Sequence, residues 1–288
     1  MKHKGSLLLI LIAFPIILSG QGKKEFPVME DSLVRLTREI QETQLDSVKL
    51  ILTSRFSQLL RRTIQLPGSF SYPFDSLRTL SKMVSPDKKF RIYNWNLPMA
   101  DGSNRYYGFI QVPVKKTRPD SIYELIDRSD SIMDPGFAIT GRTNWYGALY
   151  YRIIMVEQGN KPVYTLLGWD GVSFTVTQKI IEILSFDQKG SLKFGGKVFR
   201  DYLKGSRTRI IFRFSATASM LLRPDEQQVR AGKTTKKIRM IICDRLVPLD
   251  PRMEGQTDSY VPASDIYDGF IWVNGTWKFI HDVEGRNH

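Results

Sequence analysis

The chain has 288 residues, 42% of them hydrophobic and 11% aromatic, with a formal net charge of +13. This composition excludes a disordered polyelectrolyte and provides enough chain for a substantial core. A single cysteine, Cys243, rules out an internal disulfide. Only His281 and His288 occur beyond the first twenty residues, which rules out a multi-histidine zinc centre.

Residues 1–20 have the pattern of a secretory signal peptide. Lys2 and Lys4 open it, Leu7 to Leu18 form an apolar core, and Ser19-Gly20 are small residues suited to cleavage before Gln21, with cleavage after Gly22 as the alternative. The competing reading is an uncleaved anchor. Pro15 interrupts the apolar run, which is shorter than the roughly 20 residues a span needs. No cysteine follows the apolar core to accept a lipid, and no second long apolar run occurs. The expectation is a periplasmic or secreted, envelope-associated protein with no transmembrane span after cleavage. Nucleic acid is then a poor partner despite the basic charge.

The remaining chain divides into a helical N-terminal segment, residues 21–84, and an antiparallel β domain, residues 85–288. Asp31 to Leu66 contains neither glycine nor proline. Its apolar residues, Leu33, Leu36 and Ile40, then Leu45, Val48, Leu52, Phe56 and Leu59, recur at helical spacing. The phase shifts near Thr43 to Asp46, predicting two helices or one bent helix capped by Asp31 or Ser32. Pro67-Gly68 ends the segment. A shorter helix is predicted over Phe74 to Met83.

Beyond Ser85-Pro86-Asp87, short runs of Ile, Val, Tyr, Phe and Trp alternate with turn residues, as in antiparallel β structure. Strands are predicted at 90–96, 106–114, 146–157, 162–169, 179–186, 192–199, 207–215, 219–223, 238–244, 269–274 and 276–281. Asn274-Gly275 makes a hairpin turn of the last two. Gly190 to Gly196 lacks the Lys-Ser/Thr of a phosphate loop and suits a hairpin turn. Arg230 to Lys237 reads as a charged loop tip. Tyr146 to Val156 is apolar on both faces apart from Arg152, which suits a central strand. In 207–215 the alternation places Arg207, Arg209 and Arg213 on an outer face. The fold class is mainly β, α+β overall: a helical segment followed by an antiparallel sandwich or open barrel, with a propeller-like arrangement or a membrane β-barrel as alternatives.

Two residue groups could carry function. Lys204 to Arg245 holds eleven Lys or Arg against three acids, Asp225, Glu226 and Asp244. If strands 207–215 and 238–244 are neighbours, then Arg207, Arg209, Arg213, Lys237 and Arg239 form one positive face. Such a face would suit an anionic glycan, lipid head groups or an acidic protein. The second group is Asp250, Glu254, Asp258, Asp265 and Asp268, in a loop-rich stretch. Paired carboxylates can run glycoside hydrolysis or hold Ca²⁺, although this spacing fits no calcium loop. Tyr106-Tyr107-Gly108-Phe109 and Trp145-Tyr146-Gly147 carry aromatics on both strand faces, which would leave one of each exposed to a sugar or partner. Cys243, in an apolar run, suits a small buried hydrophobe, and His281 a structural position.

Three segments, Ser85 to Asn96, Leu166 to Gly171 and Ile266 to Phe270, resemble an uncharacterised family of exported bacterial proteins, over roughly Tyr72 to Asn287. The resemblance implies export and a shared β fold, and no catalytic residues. The expected function is envelope binding or scaffolding through the basic face, with no metal or cofactor. The alternative is a hydrolase of an envelope polymer using the carboxylate group.

Overall fold

The computed structural model describes residues 22–114, 120–231 and 234–284. The expected signal sequence and the expected cleavage before Gln21 lie outside the described residues; the alternative cleavage after Gly22 falls at the first residue described. Two helices lead into antiparallel β sheets, and among the described residues no sheet closes into a barrel.

Helix α1 spans Gly22–Glu42 and α2 spans Asp46–Gln65. The break falls where the apolar phase shifts. Asp46 lies in the first turn of α2, where its charge favours the helix dipole. The expected cap at Asp31 or Ser32 is instead helix interior, and the Ser32 hydroxyl donates back to the Val28 carbonyl at 2.9 Å. Beyond Pro67, Gly68 takes φ +90°, a conformation suited to glycine, and turns the chain back.

The helix predicted at 74–83 is absent. Phe74 has φ +57°, and its neighbours' carbonyls bond to side chains rather than along a helix. Lys82 Nζ binds the Phe74 and Leu77 carbonyls, and the Arg91 guanidinium binds those of Phe70, Tyr72 and Pro73. Phe74, Leu77 and Leu80 are spaced like a helix face, but they plug the gap between α1, α2 and the first sheet.

That sheet has the order β1(Ser81–Val84), β2(Arg91–Pro98), β3(Asn104–Val112), β4(Ser121–Ile126). The boundary expected at residue 84 falls in the turn of its first hairpin. There the Ser85 hydroxyl accepts from the Lys89 and Phe90 amides at 2.9 and 3.1 Å and donates to Asp87 at 2.8 Å. The second sheet runs β10(Arg209–Ser215), β7(Val176–Phe186), β6(Lys161–Asp170), β5(Leu149–Gln158), with β8(Leu192–Phe194) paired to β7. The third runs β11(Leu222–Ala231), β12(Thr234–Pro248), β13(Tyr260–Val273), β14(Thr276–Val283), β9(Phe199–Arg200), the last pair parallel.

Helices and sheets stack so that each interface holds its own core. Leu33, Phe56, Leu60 and Ile64 of the helices meet Tyr93, Trp95 and Phe109 of the first sheet. The opposite face of that sheet, with Ile92, Tyr106 and Ile110, meets Tyr150, Leu166, Ile180 and Leu184 of the second. Leu167, Ile181, Ile183, Ile210 and Phe212 face Ile241, Cys243, Phe270 and Trp277 of the third. Period-two alternation therefore sends side chains into different cores. The second sheet is covered on both faces, which explains its continuous apolar runs.

Several expectations change in consequence. Strand β5 is apolar on both faces because it lies between two cores, yet it is the edge of its sheet. The aromatics expected at the surface are mostly buried: Tyr106, Phe109, Trp145 and Tyr146 all lie in the cores, and Tyr107 is half-buried. The predicted strand 192–199 divides at Gly195, which takes φ +94° and whose Cβ would meet the Ala138 carbonyl at 2.8 Å. The charged stretch expected to be a loop tip is largely strand, with Arg230 opposite Thr235 and Ala231 opposite Thr234; residues 232–233 of it lie outside the described residues. Cys243 is buried, as expected.

Candidate ligand site between the helix pair and the first sheet

The two residue groups singled out from the sequence do not form the sites expected of them. Strands β10 and β12 lie in different sheets, so Arg207, Arg209 and Arg213 share no face with Lys237 and Arg239. Arg209 is fully buried against Glu182, its Nε 2.5 Å from Oε1 and its guanidinium 4.9 Å from the Tyr146 ring centre. The alternation placed it correctly opposite Ile210, but that face is roofed by the first sheet. Arg207 stacks on Phe137 at 4.8 Å, and Arg239 pairs with Glu226 at 3.0 Å. Lys237 is exposed.

Arg213 pairs through Nε and Nη2 with Asp258, so the basic and acidic groups neutralise each other there. These hydrogen bonds hold the Asp258 carboxyl below its ordinary range. Arg252 does the same to Asp250. Asp265 and Asp268 lie on β13 rather than in a loop. Burial raises the Asp268 pKa, but Arg245, the Asp282 amide and His281 outweigh it and leave the carboxyl lowered. His281 stands beside it at 3.3 Å, with its ring 4.8 Å from that of Phe279, a structural setting. Asp265 and Glu254 are exposed. Among the described residues, no group of His, Cys, Asp and Glu could hold a metal ion.

The structure provides a different site. Where α1 ends and α2 begins, the helices part over the end of β2 and leave a cavity of about 450 Å³. Thr37, Ile40 and Gln41 of α1, Thr53 and Phe56 of α2, and Trp95 to Pro98 of β2 line it. Its outer wall is pinned by Lys49, whose Nζ donates to the Pro98 carbonyl at 3.0 Å and lies 3.5 Å from Asp46. Asp46 in turn accepts from the Ala100 amide.

Two buried polar atoms in this wall have no partner, the Thr53 hydroxyl and Trp95 Nε1. Their residues are only 1% and 6% exposed. Helical threonines elsewhere in the chain bond backward, as Thr63 does to the Leu59 carbonyl at 2.8 Å. Thr53 does not. The indole is held rigidly, stacked on Tyr107 at 5.5 Å and met edge-on by Phe56 at 5.1 Å. An unpaired buried donor costs about 1–3 kcal/mol, so two in one cavity wall mark a place where an acceptor belongs. The lining combines aromatic and aliphatic surface with a few fixed polar groups, as small-molecule sites do.

This site left only a faint mark in the residue pattern. The phase shift near Thr43 to Asp46 marks the helical break beside it, but the local pattern does not single out Thr37, Gln41 or Thr53. Nothing in it tied those residues to Trp95. The chain matches no known protein family, no curated protein and no solved structure. Among the described residues, no helix is long and apolar enough to cross a membrane.

Proposed function

We propose that this chain is an exported, envelope-associated binding protein that takes a small amphipathic molecule in the cavity between the helix pair and the first sheet. The ligand presents an acceptor oxygen, from a carboxylate, carbonyl or hydroxyl, to Trp95 Nε1 and the Thr53 hydroxyl. Its apolar body lies against Phe56, Ile40 and Leu97. The observation that carries this reading is the pair of unpartnered buried donors in one cavity wall. Export rests on the residue pattern of the first twenty-two positions.

Binding through a single basic face loses support because those arginines are buried, stacked or paired and lie on different sheets. Hydrolysis by the 250–268 carboxylates loses support because three of them are held in the ionised form by arginines, whereas a general acid needs a raised pKa. The test is a calorimetric screen of small carboxylates, amides and alcohols against the full chain, each compared with its hydrocarbon analogue. An oxygen-bearing ligand should bind wild type and lose tenfold or more affinity in Trp95→Phe and Thr53→Val. Equal binding to both variants, or no binder in the screen, would overturn it.

A further inference from the structure

A second groove, remote from the helix pair, lies where the second and third sheets present their edges on the same side. Its volume is about 500 Å³. One wall is Ile153 to Val156 of β5, the other Pro224 to Glu226 of β11, and Met240 and Trp272 lie between. Consecutive residues line each wall, so the groove runs along strand edges rather than across a sheet face. Both strands end their sheets, and β5 pairs with β6 alone. Strand β1 lies against the start of β5, where the Ser81 hydroxyl donates to the Tyr150 carbonyl at 2.6 Å, and Trp272 Nε1 donates to the Glu157 carbonyl at 2.9 Å; between these two points the edge at Ile153 to Val156 is paired with no strand.

Natural sheets protect such edges with proline, charge or a bulge. The β11 wall carries Pro224, which has no N–H to offer. The β5 wall is Ile153-Ile154-Met155-Val156, rich in β-branched residues, with a charge only at its end, where the exposed Arg152 also lines the groove. The groove also holds a buried acceptor. Asp225 Oδ1 accepts from the Glu226 amide at 2.9 Å and lies 3.6 Å from Arg223, but Asp225 Oδ2 is buried with no hydrogen-bond donor.

We infer that this groove receives an extended segment of a partner polypeptide, added as a strand to the free edge of β5, with a lysine or arginine placed opposite Asp225. Backbone pairing along β5 supplies the affinity. The apolar walls select alternating apolar side chains, and Asp225 selects the cation. A single extended segment fits beside β11. A second copy of this chain would bring its own β11 alongside its β5 and crowd the same space. This assignment does not depend on the helix-pair ligand.

A displayed library of random heptapeptides, selected on the immobilised full chain, supplies the probes. Enriched peptides should alternate apolar residues and carry a Lys or Arg. Methylating alternate backbone amides in one of the two registers should weaken binding at least tenfold, because it removes the donors to β5. Asp225→Asn should weaken it roughly five- to tenfold, with the fold unchanged by circular dichroism. Trp95→Phe should leave it unchanged. Three results would overturn the inference: no enriched peptide, binding insensitive to amide methylation in both registers, or sedimentation showing a dimer that occupies the groove.

Discussion

Arg209 and Glu182 form an ion pair with both side chains completely withdrawn from solvent, between the first and second sheets. The Tyr150 hydroxyl donates to the same carboxylate and itself accepts from Trp145 Nε1 at 2.8 Å. The other end of the guanidinium reaches the Pro135 carbonyl. Burial pushes the Glu182 pKa up and Arg209 opposes it; the net direction is upward. Removing one partner leaves a buried charge without its counterpart. Arg209→Met should therefore cost about 3–5 kcal/mol in urea unfolding. Glu182→Met combined with Arg209→Met should cost distinctly less. Equal losses would show that the pair contributes through shape alone.

The cavity donors lead to the opposite sign. Thr53→Val keeps the shape of the side chain and removes an unpaired hydroxyl from a buried wall. In the absence of ligand it should raise stability by about 1 kcal/mol. A thermal melt of the two forms decides it: a lower melting temperature for the valine form would mean that the hydroxyl already has a partner.

Asp170 gives the second sheet a pH dependence. Burial raises its pKa to about 6, the Tyr106 hydrogen bond at 2.8 Å partly opposes this, and Asp127 adds to it. A carboxyl whose pKa is higher folded than unfolded stabilises the fold at low pH. That contribution is complete below the unfolded value of 3.8 and is lost as pH rises through about 6. Asp170→Asn should remove this term and stabilise the protein at pH 7 by about 2–3 kcal/mol relative to wild type, with a smaller gain at pH 4. Denaturation at both pH values measures it, and a gain independent of pH would exclude titration of Asp170.

The turn at 85–90 ties the first sheet to the second. Asp87 accepts from the Ser85 hydroxyl through one oxygen and from the Tyr164 hydroxyl, on β6, through the other at 2.7 Å. Burial raises the Asp87 pKa, but hydrogen bonds from Tyr164, Ser85 and Lys89 prevail and hold it below its ordinary value. Its contribution is therefore present above pH 3.8 and lost as pH falls through the lowered folded value. Ser85→Ala leaves the buried Phe90 N–H without its acceptor, while the Lys89 amide keeps Asp87 at 3.4 Å, and should cost about 1–2 kcal/mol. An unchanged melting temperature would show that water replaces the hydroxyl.

The sequence disclosed the elements better than their arrangement. Local patterns placed α1, α2 and most strands, because apolar spacing and turn residues act over a few positions. Short β4, where Ser121 and Glu124 interrupt the apolar residues, was missed. The 74–83 segment imitated a helix because plugging a three-sided gap also needs apolar residues every third position. The site depended on longer relations. Arg209 read as a surface charge because alternation tells which face a residue is on but not whether another sheet covers that face. Trp95 and Thr53 meet only because the helix pair folds across β2.

The parallel pairing of β9 with β14 sets Phe199 beside Trp277 and Arg200 beside Lys278. The third core also needs Phe270 and Phe279, so it cannot close until the last hairpin is present. During synthesis, the residues of β6, β7 and β10 that face it would remain uncovered until then. Non-local closure of this kind is slow and prone to aggregation. The register of one two-residue strand therefore makes the apolar face of the second sheet the part of the chain most open to misassociation until the final strands arrive.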